Sequence, residues 1–363
     1  MNHSTIENVN IKSVVLLATP KKLREILPHT PKTIRAVREG RQTISRILDG
    51  RDNRLLAIVG PCSIHNLEAA EAYAVRLAKL AEKVSDTLCV VMRVYFEKPR
   101  SVLGWKGLIN DPYLDDTFKM EDGLKMARRF LLRIAEIGLP AASEVLDTLT
   151  PQYLGDLISW SAIGARTSES QTHREIASGI STPVGFKNAT DGSLEAAING
   201  IKSASGEHHF LGATYDGLPA VFSTSGNPYS HIVLRGGKRP NYDAESISEC
   251  EKALEDAGIR PKIVVDCSHG NSRKKPERQG LVLRDLLTQK ENGNTSICGF
   301  MLESFLEWGC QPIPDDVKKL RPGLSITDAC IDWKTTEELL LEAHKRLTAL
   351  KGQKPRTKTA KRK

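Results

Sequence analysis

The sequence predicts an α/β fold: a (β/α)8 TIM barrel with an N-terminal extension and an inserted β-hairpin before strand 6. Three observations predict it. Short apolar runs alternate with amphipathic helical patterns eight times over about 250 residues. Several of these runs are almost uninterruptedly apolar, as strands are when both faces are covered. Each of the eight also ends, on its C-terminal side, in a cysteine, a histidine or a charged residue. In barrels of this kind that is the end where sites are built, and an open doubly wound sheet fits the count less well.

Residues 1–50 form the expected extension, mixing short helical patterns with basic charge and closing a helix at Gly50. The barrel is expected over 51–350, and 351–363 form a basic tail. LLAIVGPCS (55–63) reads as the first strand, followed by the helical EAAEAYAVRLAKLAEKV. LCVVMRVYF (88–96) is the second, with a long polar loop and the helix GLKMARRFLLRIAEIG after it. LPAASEVL (139–146), WSAIGART (160–167) and TPVGFKN (182–188) follow, each with its own helical pattern. The stretch HHFLGATYDGLPAVFSTSG supplies the hairpin, and HIVLRGG (231–237) is strand six. KIVVDCSHG (262–270) and SICGFMLES (296–304) complete the set, and TTEELLLEAHKRLTAL closes the chain as a helix.

Composition narrows the function classes. At 40% hydrophobic and 26% charged residues the chain is ordinary for a globular protein. It has no run of the roughly 18–20 apolar residues that a membrane helix needs. VVLLA near the N-terminus lacks the basic flank of a signal peptide, so a cytoplasmic location without membrane attachment is expected. Seven cysteines at irregular spacings, with no C-x-x-C, read as reduced thiols. The net charge of +8 invites a nucleic-acid reading, but KGQKPRTKTAKRK carries seven of the basic residues and no acid, which leaves +1 for the rest. The basicity is therefore a solvated tail, and nucleic acid is disfavoured as a partner. The absence of G-x-G-x-x-G and G-x-x-x-x-G-K-[ST] argues against a nucleotide cofactor.

The residues at the strand ends fall into two groups. Cys62, His269, Glu303 and Asp328 offer thiolate, imidazole and carboxylates, a donor set for one divalent metal: Mn, Fe, Co or Zn. They are far apart in sequence, so only a barrel brings them together. Taken singly, each has a bland reading: a loop thiol, a packed histidine, a helix-capping aspartate. The second group is Arg93, Lys98, Arg100, Arg166, Lys187 and Arg235. So many cations on one mouth repel each other unless an anion sits among them. Their arrangement implies a substrate with several negative charges, phosphates or a phosphate and a carboxylate.

These segments resemble one family. GPCS, RVYFEKPRSVLGWKGLINDP, SAIGARTSESQTHRE, PVGFKN, IVLRGG, DCSHGNS and SITDAC are similar to the type I 3-deoxy-D-arabino-heptulosonate 7-phosphate (DAHP) synthases, in their feedback-regulated aromatic amino-acid branch. The resemblance covers roughly residues 5–350. It implies a transferase that condenses phosphoenolpyruvate with erythrose 4-phosphate and water, giving DAHP and phosphate, the first step of the shikimate pathway. By resemblance Cys62, His269, Glu303 and Asp328 are metal ligands. Arg93 and Lys187 clamp the phosphoenolpyruvate carboxylate, and Arg166, Arg235 and the Ala165 amide hold its phosphate. Arg100 and Ser101 take the aldose phosphate, Lys98 is the catalytic acid/base and Glu144 positions water. On this reading His65 caps the helix starting near Leu67 and is no metal partner of Cys62.

The resemblance also implies a homodimer or homotetramer and a candidate feedback pocket at Pro151, Gln152, Ser181, Phe210 and Gly212. Phenylalanine-sensitive relatives tend to carry serine where this chain has Gly212, so tyrosine is the favoured aromatic amino-acid effector. Two departures stand out. The extension reads NVNIKS without the acidic pair common in relatives, and EWGCQPIP replaces the usual Gly-Asn-Gln after Glu303. The sister reaction with arabinose 5-phosphate is disfavoured, because those relatives carry Ala-Asn at Pro99-Arg100.

Overall fold

The computed structural model describes residues 6–100 and 104–351. The chain enters through α1 (Pro20–Ile26) and α2 (Pro31–Leu48). Each starts with a proline after a threonine N-cap, and proline suits the first helical position because its missing N–H has no partner there anyway. At α2 the caps are reciprocal: the Thr33 amide donates to the Thr30 hydroxyl, and the Thr30 amide to that of Thr33.

The alternation follows: β1 (Leu55–Gly60), α3 (Leu67–Lys83), β2 (Leu88–Arg93), α4 (Met120–Ile137), β3 (Ala141–Glu144), α5 (Thr150–Leu154), β4 (Trp160–Ile163), α6 (Gln171–Gly179), β5 (Val184–Lys187) and α7 (Glu195–Ala204). The hairpin β6 (His208–Ala213) and β7 (Pro219–Thr224) is inserted here. Then come β8 (Ser230–Leu234), α8 (Ala244–Asp256), β9 (Ile263–Asp266), α9 (Gln279–Glu291), β10 (Ile297–Glu303) and α10 (Trp333–Lys351). Eight parallel strands close into a barrel in the order β1-β10-β9-β8-β5-β4-β3-β2, as the sequence predicts.

Strand alternation divides the apolar residues between two layers. Leu55, Ala57 and Val59 of β1 face the helices, whereas Leu56 and Ile58 face the interior with Val91, Ala142, Trp160, Val233, Val264 and Met301. That interior also receives Ile44, Ile47 and Leu48 from the last turns of α2. They meet Leu56, Cys89 and Cys298, which lie near the N-terminal ends of their strands. The extension thus forms the floor of the barrel, and the opposite mouth is left for chemistry.

Some sequence expectations need adjustment. The strands are shorter at their C-terminal ends than the apolar runs suggest, because the chain leaves the ladder once a polar residue reaches the mouth. Arg93, Glu144, Lys187 and Glu303 are the last residues of β2, β3, β5 and β10, whereas Cys62, Lys98, Arg166, Arg235 and His269 stand in the loops beyond. His65 does not cap α3. Asn66 does, accepting from the Ala69 amide. His65 is buried instead, edge-on to Phe305, and burial lowers its pKa to about 4. Lys351 belongs to α10, and the remainder of the expected tail, 352–363, lies outside the described residues. Among the described residues no helix is long and apolar enough to cross a membrane.

Trp160 fills much of the interior and must satisfy its indole N–H there. It donates to Nε2 of the buried His231 at 3.1 Å, while Nδ1 of that ring lies 3.1 Å from the Tyr229 carbonyl. His231 is thereby fixed as the neutral Nδ1–H tautomer, and burial depresses its pKa to about 4. An unfolded histidine titrates near 6.5, so the unfolded chain binds more protons between these values. The stability His231 secures is complete above about pH 6.5 and is lost as pH falls toward 4, about 3 kcal/mol in total. Denaturant titrations of the wild type and of His231→Asn between pH 7 and 4.5 are expected to show a shallower pH slope in the variant.

Candidate active site

Two cations are buried at the mouth, Arg93 and Lys187, and a third, Lys98, is half-buried; each is matched to an anion or a soft donor. Arg93 is wholly buried. Its Nη2 donates to Glu303 Oε1 at 3.1 Å, and its guanidinium lies 4.0 Å from the Tyr95 ring centre. Its Nη1 is buried with no hydrogen-bond partner, an uncommon state for a charged donor. Lys187 Nζ donates to Asp266 Oδ2 at 2.8 Å. Lys98 Nζ lies 3.2 Å from Cys62 Sγ and 3.1 Å from the Cys62 carbonyl. Burial alone would drive protons off these groups. The neighbouring Cys62 and Glu303 outweigh it for Lys98, and Asp266 does so for Lys187, so both lysines are held above their ordinary pKa.

Three groups that could serve as metal donors crowd the same mouth. Cys62 Sγ, a Glu303 carboxylate oxygen and an Asp328 carboxylate oxygen lie within 4.8 Å of one another. The fourth expected ligand, His269, stands at the edge of this cluster: its Nε2 is 3.8 Å from Glu303 Oε1. Its Nδ1 is 2.9 Å from Asp266 Oδ2 and 2.7 Å from the Ser268 hydroxyl, which itself donates to Asp266. A second group thus orients the ring, as metal-bound histidines require. The turn places His269 at φ 52°, left-handed and costly for a non-glycine residue. Burial, then Glu303, raises the Cys62 thiol pKa. Burial likewise opposes ionisation of Glu303, but His269, Arg93 and Lys98 win and bring its carboxyl down to about 2. One thiol and two carboxylates this close repel one another once ionised, and a divalent cation of the thiolate- and imidazole-binding class fits them.

Arg235 and Arg166 are close enough to repel. Burial and Arg166 lower the Arg235 pKa while Asp266 pulls it up. The loop bearing Arg235 is braced by three asparagines. Asn188 Oδ1 accepts from the Arg235 amide at 2.7 Å, and Asn241 Oδ1 from the Gly236 amide at 2.7 Å. Asn271 Oδ1 accepts from the Asn241 amide, and its Nδ2 donates to the Leu234 and Asp266 carbonyls. Gly236 has φ 73°, and a Cβ there would lie 2.5 Å from the Asn271 amide nitrogen, so only glycine lets the two loops meet. Ala165 is half-buried, while Arg166 and Arg100 are exposed on the rim. Ser101 lies outside the described residues.

A cavity of about 1000 Å³ lies beside the mouth, between α5, α6 and the hairpin. Pro151, Gln152, Ser181, Phe210 and Gly212 all line it, as do Glu97 and Glu144. Phe210 and Phe222 stack across the hairpin at 5.8 Å, and a Cβ on Gly212 would come within 2.9 Å of the Phe222 ring. The extension is fastened to this wall. Arg24 donates to the Gln152 carbonyl, His29 Nε2 is 2.9 Å from Asp156, and the buried Arg128 pairs with both Asp156 oxygens at 2.9 Å.

Sequence reasoning missed several residues of this region. Asp266 joins Lys187 to His269, and it stands last in its strand inside DCSHGNS, a position that could have singled it out. Tyr95 and the three asparagines carry no chemistry that spacing reveals.

The profile of the DAHP synthetase I family matches residues 29–341. A Tyr-sensitive phospho-2-dehydro-3-deoxyheptonate aldolase of Salmonella typhimurium is 51% identical over 96% of this chain and 98% of its own length. A Phe-sensitive one from Escherichia coli K12 is 48% identical over 97% of this chain and 100% of its own length. The solved phospho-2-dehydro-3-deoxyheptonate aldolase of Francisella tularensis superposes with a TM-score of 0.91 at 43% identity, covering 93% of this chain and 99% of that one. A buried Arg93 with a free donor, a three-donor cluster and full-length similarity agree, and the chain belongs to the DAHP synthetase I family.

Proposed function

We propose that the barrel mouth carries out the condensation of phosphoenolpyruvate with erythrose 4-phosphate and water to DAHP and phosphate, the first step toward aromatic amino acids. The observation that carries this reading is the convergence of the Cys62, Glu303 and Asp328 donors with the buried cations Arg93 and Lys187 and with Lys98 beside Cys62. The free Arg93 Nη1 suits one oxygen of the phosphoenolpyruvate carboxylate, with Lys187 beside it. Arg166, Arg235 and the Ala165 amide take the phosphate, and its charge relieves the repulsion that lowers Arg235. Arg100 and Ser101 take the phosphate of the aldose. Held this way, C3 of phosphoenolpyruvate faces the aldehyde carbon, and positioning supplies much of the rate.

Cys62, Glu303 and Asp328, with His269 beside them, would hold one divalent metal of the Mn, Fe, Co or Zn class. That ion supplies Lewis acidity toward the aldehyde oxygen. Lys98 is kept protonated by Cys62 and Glu303, so it can deliver a proton as the new C–C bond forms. Glu144, at the end of β3, orients the water that adds to C2 before phosphate leaves.

The side cavity is read as the site of an aromatic amino-acid effector, tyrosine in preference to phenylalanine. The small Gly212 and the similarity to a Tyr-sensitive relative support it. The exposed apolar residues Val14, Val15 and Leu16 and the hairpin's Leu211 and Val221 support a homodimer or homotetramer. The setting is read as cytoplasmic.

Four outcomes test these assignments. Glu303→Gln is expected to abolish stoichiometric Mn²⁺ binding by metal analysis and to lower kcat on the order of 1000-fold. Chelator-stripped wild type should consume phosphoenolpyruvate only after a divalent metal is returned, and failure with every metal would sink the assignment. Arg235→Ala should raise KM for phosphoenolpyruvate roughly 10- to 100-fold, the loss of one charge-assisted contact, with a smaller change for the aldose. Gly212→Ser should move the inhibition constants toward phenylalanine by roughly tenfold relative to tyrosine, read from paired titrations.

A further inference from the structure

Lys98 stands in the loop after β2, and the described residues of that loop have no regular secondary structure. Something must nevertheless hold its side chain on Cys62. The preceding stretch is fixed from two sides. On one, the Lys98 amide donates to the Lys106 carbonyl at 2.8 Å, and Gly107 comes so close that a Cβ there would lie 2.0 Å from the Phe96 oxygen. On the other stands the wall of the side cavity. The Thr150 hydroxyl, on the first residue of α5, donates to Glu97 Oε2 at 3.1 Å and also lies 3.3 Å from the Asp147 carbonyl. Asp147 in turn caps the start of α5 through the Leu149 amide at 2.7 Å. Glu97 is buried at 8% exposure and lines the same cavity as Pro151 and Gln152.

We infer that Glu97 is a positioning residue for Lys98, braced by Thr150, so that the cavity wall sets the proton-handling group of the neighbouring site. This rests on the assignment of Lys98 made above. Glu97 and Lys98 are adjacent in the chain, so a movement of one carboxylate displaces the next side chain with little loss. Burial, then Asp147, pushes the Glu97 carboxyl up to about 7, and the Thr150 hydroxyl is one of the groups that keep it charged. A ligand in the cavity that shifts α5 would therefore act on Lys98 through this bond, with no need for a concerted change in the barrel.

The test compares Thr150→Val, which keeps the shape and removes the hydroxyl, with Thr150→Ser, which restores it. Hydrogen exchange over residues 96–98 and steady-state kinetics are measured on both and on the full-length wild type. The expected result is faster exchange and a kcat lowered about tenfold in Thr150→Val, with KM for phosphoenolpyruvate within about twofold of wild type and near-complete rescue in Thr150→Ser. Exchange and kcat like wild type in Thr150→Val would overturn the inference, as would a change in KM alone. A wild type without turnover would instead overturn the assignment of the reaction, and the exchange comparison would still decide whether Thr150 holds the loop.

Discussion

Burying positive charge is the constraint on which this mouth depends. Arg93 has no solvent exposure, Lys187 is nearly as enclosed and Lys98 is half-buried; taken from water alone, each of the two buried ions would carry a penalty of several kcal/mol. The chain meets this with anions in fixed places, Glu303 against Arg93 and Asp266 against Lys187, while Lys98 lies against the Cys62 sulfur and carbonyl. The same groups have a second place in the structure, because Glu303 and Cys62 belong to the cluster that could hold a metal ion and Asp266 orients His269. A mouth already balanced in charge needs little reorganisation as charge moves through the reaction, which is how preorganised sites lower barriers.

The side cavity and the mouth share walls. Glu144 and Glu97 belong to both regions, and the floor and flank of the structure come from a single extension. α2 closes the barrel below, while Arg24 and His29 fasten the entry segment to the loop that bears Gln152 and Asp156. The hairpin, which adds nothing to the barrel's hydrogen bonding, completes the cavity through the stacked Phe210 and Phe222.

Much of this was legible in the sequence, for physical reasons that differ by element. The strands announced themselves because both faces are buried, so LLAIVG is apolar throughout and LCVVMR is apolar up to its terminal Arg93. Helix periodicity placed α3 and α4 within a few residues. The charged strand ends were visible because charges rarely terminate apolar runs without a use. Their partners were not. Asp266 works through contacts with residues 79 positions before it and three after it, and no local pattern encodes that. The asparagine brace joins 188, 241 and 271, three loops that only barrel closure brings together. His65 was misread because a histidine before a helix suggests a cap, whereas packing against Phe305 decides its place and the shorter Asn66 reaches the free amides.

The helix that floors the barrel bears on how such a chain can evolve. Ile44, Ile47 and Leu48 are interior residues of the catalytic barrel, yet they arrive on the segment that also fastens the wall of the side cavity. Lineages seeking freedom from end-product control therefore cannot discard the whole extension without unsealing the barrel. Their accessible route is by point changes on the cavity lining, and the selective history of sensitivity should be written there rather than in gain or loss of a terminal module.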